Sequence, residues 1–197
     1  MGIATFASQA ISEFQSTAAI APSSRFLVEA MVQPLPMDRV KTMVELGPGT
    51  GAMTEELLAQ LPRDAKLFAF EINPRFVQYL RANLSDPRLE VIECGAERAD
   101  EELARRGVHK ADAVLSSLGL SLLPDSLIEE IFAAVFPLLA QDGVFTQFQY
   151  VTRMRLQDGR AEYFDVGDLL RRHFPRVQRR MIVRNLPPAF VYDCRLR

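Results

Sequence analysis

Three glycines at alternating positions, Gly47, Gly49 and Gly51, separate a short apolar run from a helical one, and two carboxylates flank them, Glu45 just before and Glu71 further on. Glycine lets a chain turn tightly and lets a ligand approach the backbone. The helix that follows opens with free N–H groups. The spacing Gly47-x-Gly49-x-x-Ala52 also passes as a loose dinucleotide fingerprint. A carboxylate at Glu45 would repel a pyrophosphate, but it suits a ligand with a cationic amino-acid group. Glu71 ends the next apolar run, where an acid can accept both hydroxyls of a ribose in either kind of ligand. No Ser-His-Asp or Cys-His set is evident, so covalent catalysis has no candidate. His109 and His173 lack ligand-like neighbours, and no metal site is expected.

The elements that must hold these residues alternate regularly. Met43–Leu46, Leu67–Phe70, Leu89–Ile92, Ala113–Leu115 and Val144–Tyr150 read as strands. Between them lie helices over Thr54–Leu61, from Asn73-Pro74 onward, over Ala99–Arg106, and through Leu127, Ile128, Ile131, Phe132 and Val135. Asn73 caps its helix with Pro74 at the first position. Pro137 kinks the last turn of its helix, and Asp142-Gly143 turns the chain into the fifth strand. A helix over Val166–Phe174 and two strands, Val177–Val183 and Phe190–Leu196, complete the pattern, with a hairpin around Asn185-Leu186-Pro187-Pro188. The expected fold is α/β, a doubly wound sheet with helices on both faces. Ligands bind such sheets at the carboxyl ends of the strands, which points to the loops after residues 46, 71, 93, 115 and 150. Ahead of this core, Ile3, Phe6, Ala7, Ala10, Ile11 and Phe14 form an amphipathic stripe, and Ser23 or Ser24 caps a helix running to about Met31. One domain is expected: a helical extension over residues 1–35 covering the site, and a core over 40–197.

Val44-Glu45-Leu46-Gly47-Pro48-Gly49-Thr50-Gly51 resembles the first motif of the Rossmann-like (class I) methyltransferases. The resemblance implies a seven-stranded sheet with the last strand antiparallel and S-adenosyl-L-methionine as cofactor. It puts the loop of Gly47, Gly49, Thr50 and Gly51 under the cofactor, Glu71 and Ile72 at the ribose, and Gly95 and Ala96 at the adenine. Family members often carry an acid in that adenine loop. Here the chain reads Cys94-Gly95-Ala96-Glu97, with Gly95 in the acid's place, leaving the Ala96 N–H and Glu97 as the polar groups.

Ala19–Arg25, Leu115–Leu123, Gln147–Tyr150 and Arg184–Ala189 together are similar to the short bacterial phospholipid N-methyltransferases, which methylate the amine of phosphatidylethanolamine. This implies an aminophospholipid substrate. The related ribosomal RNA adenine dimethyltransferases usually carry an Asn-Leu-Pro-Tyr-like motif where this chain has Ser116-Ser117-Leu118-Gly119. There is no aromatic there to stack a flipped base, which disfavours nucleic acid. The phospholipid enzymes often have proline at the place of Gly119. Tyr150 ends strand five, where it either orients the acceptor amine by hydroxyl or ring face or is a half-buried strand-end tyrosine. Ser116 and Ser117 end strand four, either beside the reacting methyl or as ordinary turn residues. Asn185 either closes the pocket or forms its own turn. A small-molecule methyltransferase and a cofactor-binding module without turnover are the remaining alternatives.

Composition sets the outer bounds. With 197 residues the chain fills one domain. No apolar run approaches the ~20 residues of a bilayer span, and the N-terminus lacks a signal peptide's basic flank. The expected location is cytoplasmic, with peripheral contact at the inner membrane face. Cys94 and Cys194 read as buried reduced thiols. The net charge of −2 divides unevenly: residues 1–150 carry a net −8 and residues 151–197 a net +6. Arg171, Arg172, Arg176, Arg179, Arg180 and Arg184 form the densest basic stretch. It is either a solvated face or a match for an anionic membrane surface.

Overall fold

The structure, a computed structural model, describes residues 23–151, 154–157 and 160–197. The stripe expected over residues 3–14 lies outside them. Among the described residues, no helix is long and apolar enough to cross a membrane.

Ser24 opens the first helix. Its side chain accepts from the Leu27 N–H, and helix α1 runs Arg25–Val32. The core then alternates: β1 (Thr42–Leu46), α2 (Ala52–Gln60), β2 (Lys66–Glu71), α3 (Pro74–Asn83), β3 (Leu89–Glu93), α4 (Ala99–Ala104), β4 (Ala111–Ser116), α5 (Asp125–Val135) and β5 (Leu139–Tyr150). Asn73 caps α3 by accepting from Arg75 N–H, with Pro74 at the helix start. A hairpin of β6 (Met154–Gln157) and β7 (Arg160–Tyr163) follows, then α6 (Val166–Arg171), β8 (Arg176–Ile182) and β9 (Ala189–Arg195).

The main sheet has seven strands in the order β3-β2-β1-β4-β5-β9-β8. β1 to β5 are mutually parallel. β9 is antiparallel to both neighbours, β5 and β8. The expected sheet with its antiparallel last strand is therefore present. Strand alternation sends side chains to two apolar layers. Met43, Leu67, Ala113, Leu115 and Val144 pack with α1 and α2. Val44, Phe68, Val114 and Phe145 pack with α5 and α6.

Two local expectations change. Asp142-Gly143 does not precede the fifth strand but lies inside it: Ala111 pairs with Leu139 and Ala113 with Val144, so the stretch between is bulged out of register. The β6–β7 hairpin is an addition, pairing Met154 with Tyr163 and Gln157 with Arg160.

Candidate functional site

The carboxyl ends of four strands leave the sheet at one level. The Gly47 N–H donates to Phe70 O (2.9 Å), Ser117 N–H to Leu46 O (2.8 Å) and Cys94 N–H to Glu71 O (3.2 Å), extending the ladders by a residue before each loop departs. The loops holding the expected cofactor and acceptor residues are thereby brought together.

Gly47, Gly49 and Gly51 have φ of 71°, 58° and 88°. Gly51 is the most constrained. A Cβ there would lie 2.8 Å from Leu80 Cδ2 and 3.2 Å from Leu84 Cδ1, because α3 packs against the start of α2. Gly49 has open space around its Cα, and Thr50 is exposed in the same turn. Gly47 abuts Leu118 of the β4 loop.

Glu45 and Glu71 point to the α1–α2 face beneath this loop. Glu45 is wholly buried, and neither carboxylate oxygen has a hydrogen-bond partner. Burial pushes its carboxyl up to about 8; the neighbouring Thr54 hydroxyl opposes the shift and the charge of Glu71 adds to it. Thr54 Oγ1 is itself buried and out of hydrogen-bond geometry. Glu71 is instead tied down. Its Oε2 accepts from Gly49 N–H (3.0 Å) and its Oε1 from Asn73 N–H (2.8 Å). Burial raises its pKa, and the N–H groups of Asn73, Gly49 and Ile72 hold it back. Glu71 thus braces the glycine loop against the start of α3, keeping lone pairs on both oxygens for further donors.

Gly95 and Ala96 open a 3-10 turn after β3. Gly95 has an ordinary φ of −72°, so its backbone does not require glycine. The Glu97 carboxylate folds back into the space that a Cβ on residue 95 would fill, and a side chain there would have to displace it. The Glu97 carboxylate thus lies against Gly95. Half-buried Cys94 adjoins this loop, and Cys194 lies buried in the sheet.

On the acceptor side, Ser116 is buried, and its Oγ accepts from Leu118 N–H (3.4 Å). Ser117 Oγ donates to Met53 Sδ (3.2 Å) on α2. Tyr150 stands three residues beyond Gln147, the partner of Ser116. It is half-buried on the α1–α2 face with its ring edge-on to Phe148 at 5.4 Å. Burial raises its pKa, so its phenol stays protonated near neutrality.

Sequence reasoning assigned no role to two buried glutamines that set this side. Gln147 Nε2 donates to Leu118 O (2.9 Å) and Phe148 O (2.7 Å). Gln149 Nε2 donates to Phe164 O (2.8 Å), while its Oε1 accepts from Val166 N–H (3.0 Å). Polar residues alternating along a strand that is otherwise core were the available signal. Asn185 does form its turn, donating to Pro187 O (2.7 Å), and it also accepts from Ser24 N–H (3.0 Å). The start of α1 is thereby fastened to the β8–β9 turn, next to Ala189, which pairs with Tyr150.

A family model described as a methyltransferase domain matches residues 43–143. An ornithine lipid N-methyltransferase from Singulisphaera acidiphila is 32% identical over 179 residues, covering 90% of this chain and 88% of that one. A ribosomal RNA small subunit methyltransferase A from Alcanivorax borkumensis is 32% identical over 127 residues, covering 64% of this chain and 41% of that one. Among solved structures, the Burkholderia thailandensis 1,6-didemethyltoxoflavin-N1-methyltransferase, with its substrate and S-adenosylhomocysteine bound, superposes with a TM-score of 0.63. It is 18% identical, and the match covers 98% of this chain and 87% of that one, a likeness of fold.

Proposed function

The chain belongs to the S-adenosylmethionine-dependent methyltransferases, and from that premise we propose that it methylates the amine of an aminolipid, phosphatidylethanolamine or a close relative. The observation that carries this reading is the extent of the likeness to a lipid N-methyltransferase, 88% of that enzyme, against 41% of the ribosomal RNA enzyme. Likeness to the lipid enzyme thus extends well past the cofactor half.

The residues present fit the cofactor. Glu45 is a buried carboxylate without a partner, and such a group is costly unless a cation compensates it. The cationic amino-acid end of S-adenosylmethionine provides that charge. The space over Gly49 admits a ligand to the backbone, and the spare lone pairs of Glu71 suit ribose hydroxyls. When bound, the cofactor supplies a methyl group on a sulfonium, already activated for attack.

The chain then has three tasks: to position a neutral amine in line, to exclude water, and to let the amine's proton leave. Ser117 fixes its hydroxyl hydrogen on Met53, which turns its oxygen lone pairs outward as acceptors. Tyr150, held protonated by burial, does not act as the base. It orients the amine through its oxygen or ring face. Gln147 holds the Leu118 carbonyl and so fixes the loop that closes on Gly47. Glu45, Glu71 and the Gly49 backbone would hold the cofactor, and Ser117 and Tyr150 would hold the amine towards its methyl group. Neither of these two is a base near neutrality, so the amine's proton would leave to water.

Incubation with methyl-labelled cofactor, detergent-dispersed phosphatidylethanolamine, ornithine lipid and RNA tests the acceptor. Label in the aminolipid amines supports the reading. Label in RNA adenine and in neither lipid overturns it.

A further inference from the structure

Large apolar side chains are exposed in an uneven pattern. Among the described residues they are Tyr79, Leu122, Met154, Tyr163, Met181, Val183 and Leu186. All but Tyr79 belong to segments at the carboxyl end of the sheet. Leu122 is in the turn after β4, and Met154 faces Tyr163 across the base of the β6–β7 hairpin. Val183 and Leu186 flank Arg184 in the β8–β9 turn, and Met181 lies just before it. Leu186 is 82% exposed and Val183 66%. This turn is not slack, because buried Asn185 fastens it to Pro187 and to the start of α1.

Cations gather at the same corner. The guanidinium groups of Arg25 and Arg184 lie over one ring, Phe26, at 4.8 and 5.1 Å. Arg180 donates to Gln33 (2.7 Å). None of these three is ion-paired among the described residues, although Glu29 lines the same open cavity of about 500 Å³ between α1 and β8. Two like charges on one ring repel, and an anion beside them relieves the repulsion.

We propose that this face docks on an anionic lipid bilayer, with Leu122, Met154, Val183 and Leu186 entering the headgroup layer and Arg25, Arg180 and Arg184 meeting lipid phosphates. The choice of partner rests on the aminolipid reading. It is supported by the surface itself. Aliphatic tips on separate turns suit insertion between headgroups, and Tyr163, the exposed aromatic beside them, suits the interfacial layer, whereas a single-stranded nucleic acid calls for a series of aromatic stacking platforms. The β8–β9 turn adjoins Ala189, which pairs with Tyr150, and Leu122 lies in the turn that follows Ser117, so docking brings the acceptor side to the plane where lipid amines lie.

Flotation with vesicles of phosphatidylcholine alone, and with added phosphatidylglycerol, tests this on the full chain. Binding is expected only with phosphatidylglycerol, and it should fall as salt shortens the screening length. The double variant Val183→Ser/Leu186→Ser should lower vesicle partitioning roughly tenfold. Arg180→Glu/Arg184→Glu should lower it roughly tenfold or more at low salt. Both should keep wild-type affinity for S-adenosylhomocysteine and wild-type melting. Lys110→Glu, at the opposite end, should change binding little. Equal losses from Lys110→Glu would mean that net charge, not this face, governs binding, and would overturn the proposal. So would unchanged vesicle binding in both double variants, or a loss seen only in RNA binding or self-association. Methylation of dispersed aminolipid without vesicle binding would overturn the docking face and leave the aminolipid reading standing. Docking through this face with no lipid methylated would do the reverse.

Discussion

The two ends of the sheet are built from the same strands, yet they satisfy their polar groups in opposite ways. At the amino end, Asp112 Oδ2 accepts from both Lys41 and Thr42 N–H (2.8 and 2.9 Å). Lys41 pairs with Asp64. Arg88 pairs with Asp86 and donates to the carbonyls of Leu58 and Leu61. Lys66 and Lys110 donate to Pro87 O and Pro137 O (both 2.7 Å). At the carboxyl end, both oxygens of Glu45, Thr54 Oγ1 and Gln147 Oε1 are buried without partners, and aliphatic side chains stand in water. Buried polar groups in a folded protein are almost always satisfied. Among the described residues, the carboxyl end is where these buried groups stay open to a ligand, whereas the amino-end groups named above all have partners.

Breaking the two ends in turn should therefore give unequal results. The largest effect is expected from Gly51→Val. It places a branched side chain at a φ of 88° and drives it into Leu80 and Leu84, which costs about 2 kcal/mol or more of stability. Because the loop must shift, affinity for S-adenosylhomocysteine should fall by roughly a hundredfold or more, about 2.7 kcal/mol. At the amino end, Asp64→Asn removes an exposed pair of the kind that contributes little, and it should change neither melting nor binding. Calorimetry of both variants decides the matter. Wild-type affinity in Gly51→Val would remove the glycine loop from the cofactor site.

Glu45→Gln sharpens the comparison through pH. The carboxyl titrates at about 8 in the folded chain against 4.5 as its ordinary value. Between those values the folded state holds a proton that the unfolded state has lost, so stability falls as pH rises, by about 1.4 kcal/mol per unit at most. The glutamine variant lacks this slope. Free of ligand, it should match the wild type near pH 4 and exceed it by a few kcal/mol at pH 8 in denaturant melts. With ligand the order reverses, because glutamine cannot compensate a cation. Wild-type binding should also release a proton near pH 7, seen as a dependence of the binding heat on the buffer. Parallel stability profiles for the two proteins would show that Glu45 is not held neutral.

The helix starts and the glycine loop were the most legible parts of the sequence. Asn73-Pro74 announces the start of α3, and the pair Ser23-Ser24 that of α1, where Ser24 is the cap, since caps are local chemistry. Glu45, Glu71 and the three glycines stand out by type and spacing, and the structure brings them together, with Glu71 accepting from Gly49 N–H; their assignment to a cofactor comes from the family resemblance. What escaped depends on contacts between distant segments. The β6–β7 hairpin carries only a weak local signal, Asp158-Gly159 between runs that are short and charged. Gln147 and Gln149 hold loops 29 and 15 residues away. Asn185 reaches across 161 residues to Ser24. No pattern within a window of the chain contains those partners. The bulge at Asp142-Gly143 was read as a turn because the composition of the two is the same; only the pairing of Ala111 with Leu139 tells them apart.

A smaller loss is expected at Glu71. Its two oxygens brace Gly49 and Asn73, so removing them leaves backbone donors unpaired as well as taking acceptors from the ligand. Glu71→Ala should weaken S-adenosylhomocysteine binding by about 1.5–3 kcal/mol. Glu71→Gln keeps one accepting oxygen and should recover part of this. If both variants bind as the wild type does, the ribose is held by other groups.

The smallest effect is the most specific, and it concerns the loop where the sequence departs from the family. The Glu97 carboxylate occupies the space above Gly95, so position 95 is closed to any side chain while Glu97 stays there. Gly95→Asp alone adds a second carboxylate to a filled site. Steric conflict and like-charge repulsion should lower S-adenosylhomocysteine affinity, by about 1–2 kcal/mol. Glu97→Ala alone empties the site and should cost about 1 kcal/mol, the worth of an ordinary hydrogen bond. In the double variant Gly95→Asp/Glu97→Ala, one acid again fills one space, so affinity should return towards wild type although each single change weakens it. Compensation of this kind marks two residues that are coupled, as contact between them would make them. Calorimetry on the three variants gives the coupling directly. Simple addition of the two losses would show that Glu97 folds over Gly95 without standing in for the missing acid, and that the loop holds the cofactor through its backbone.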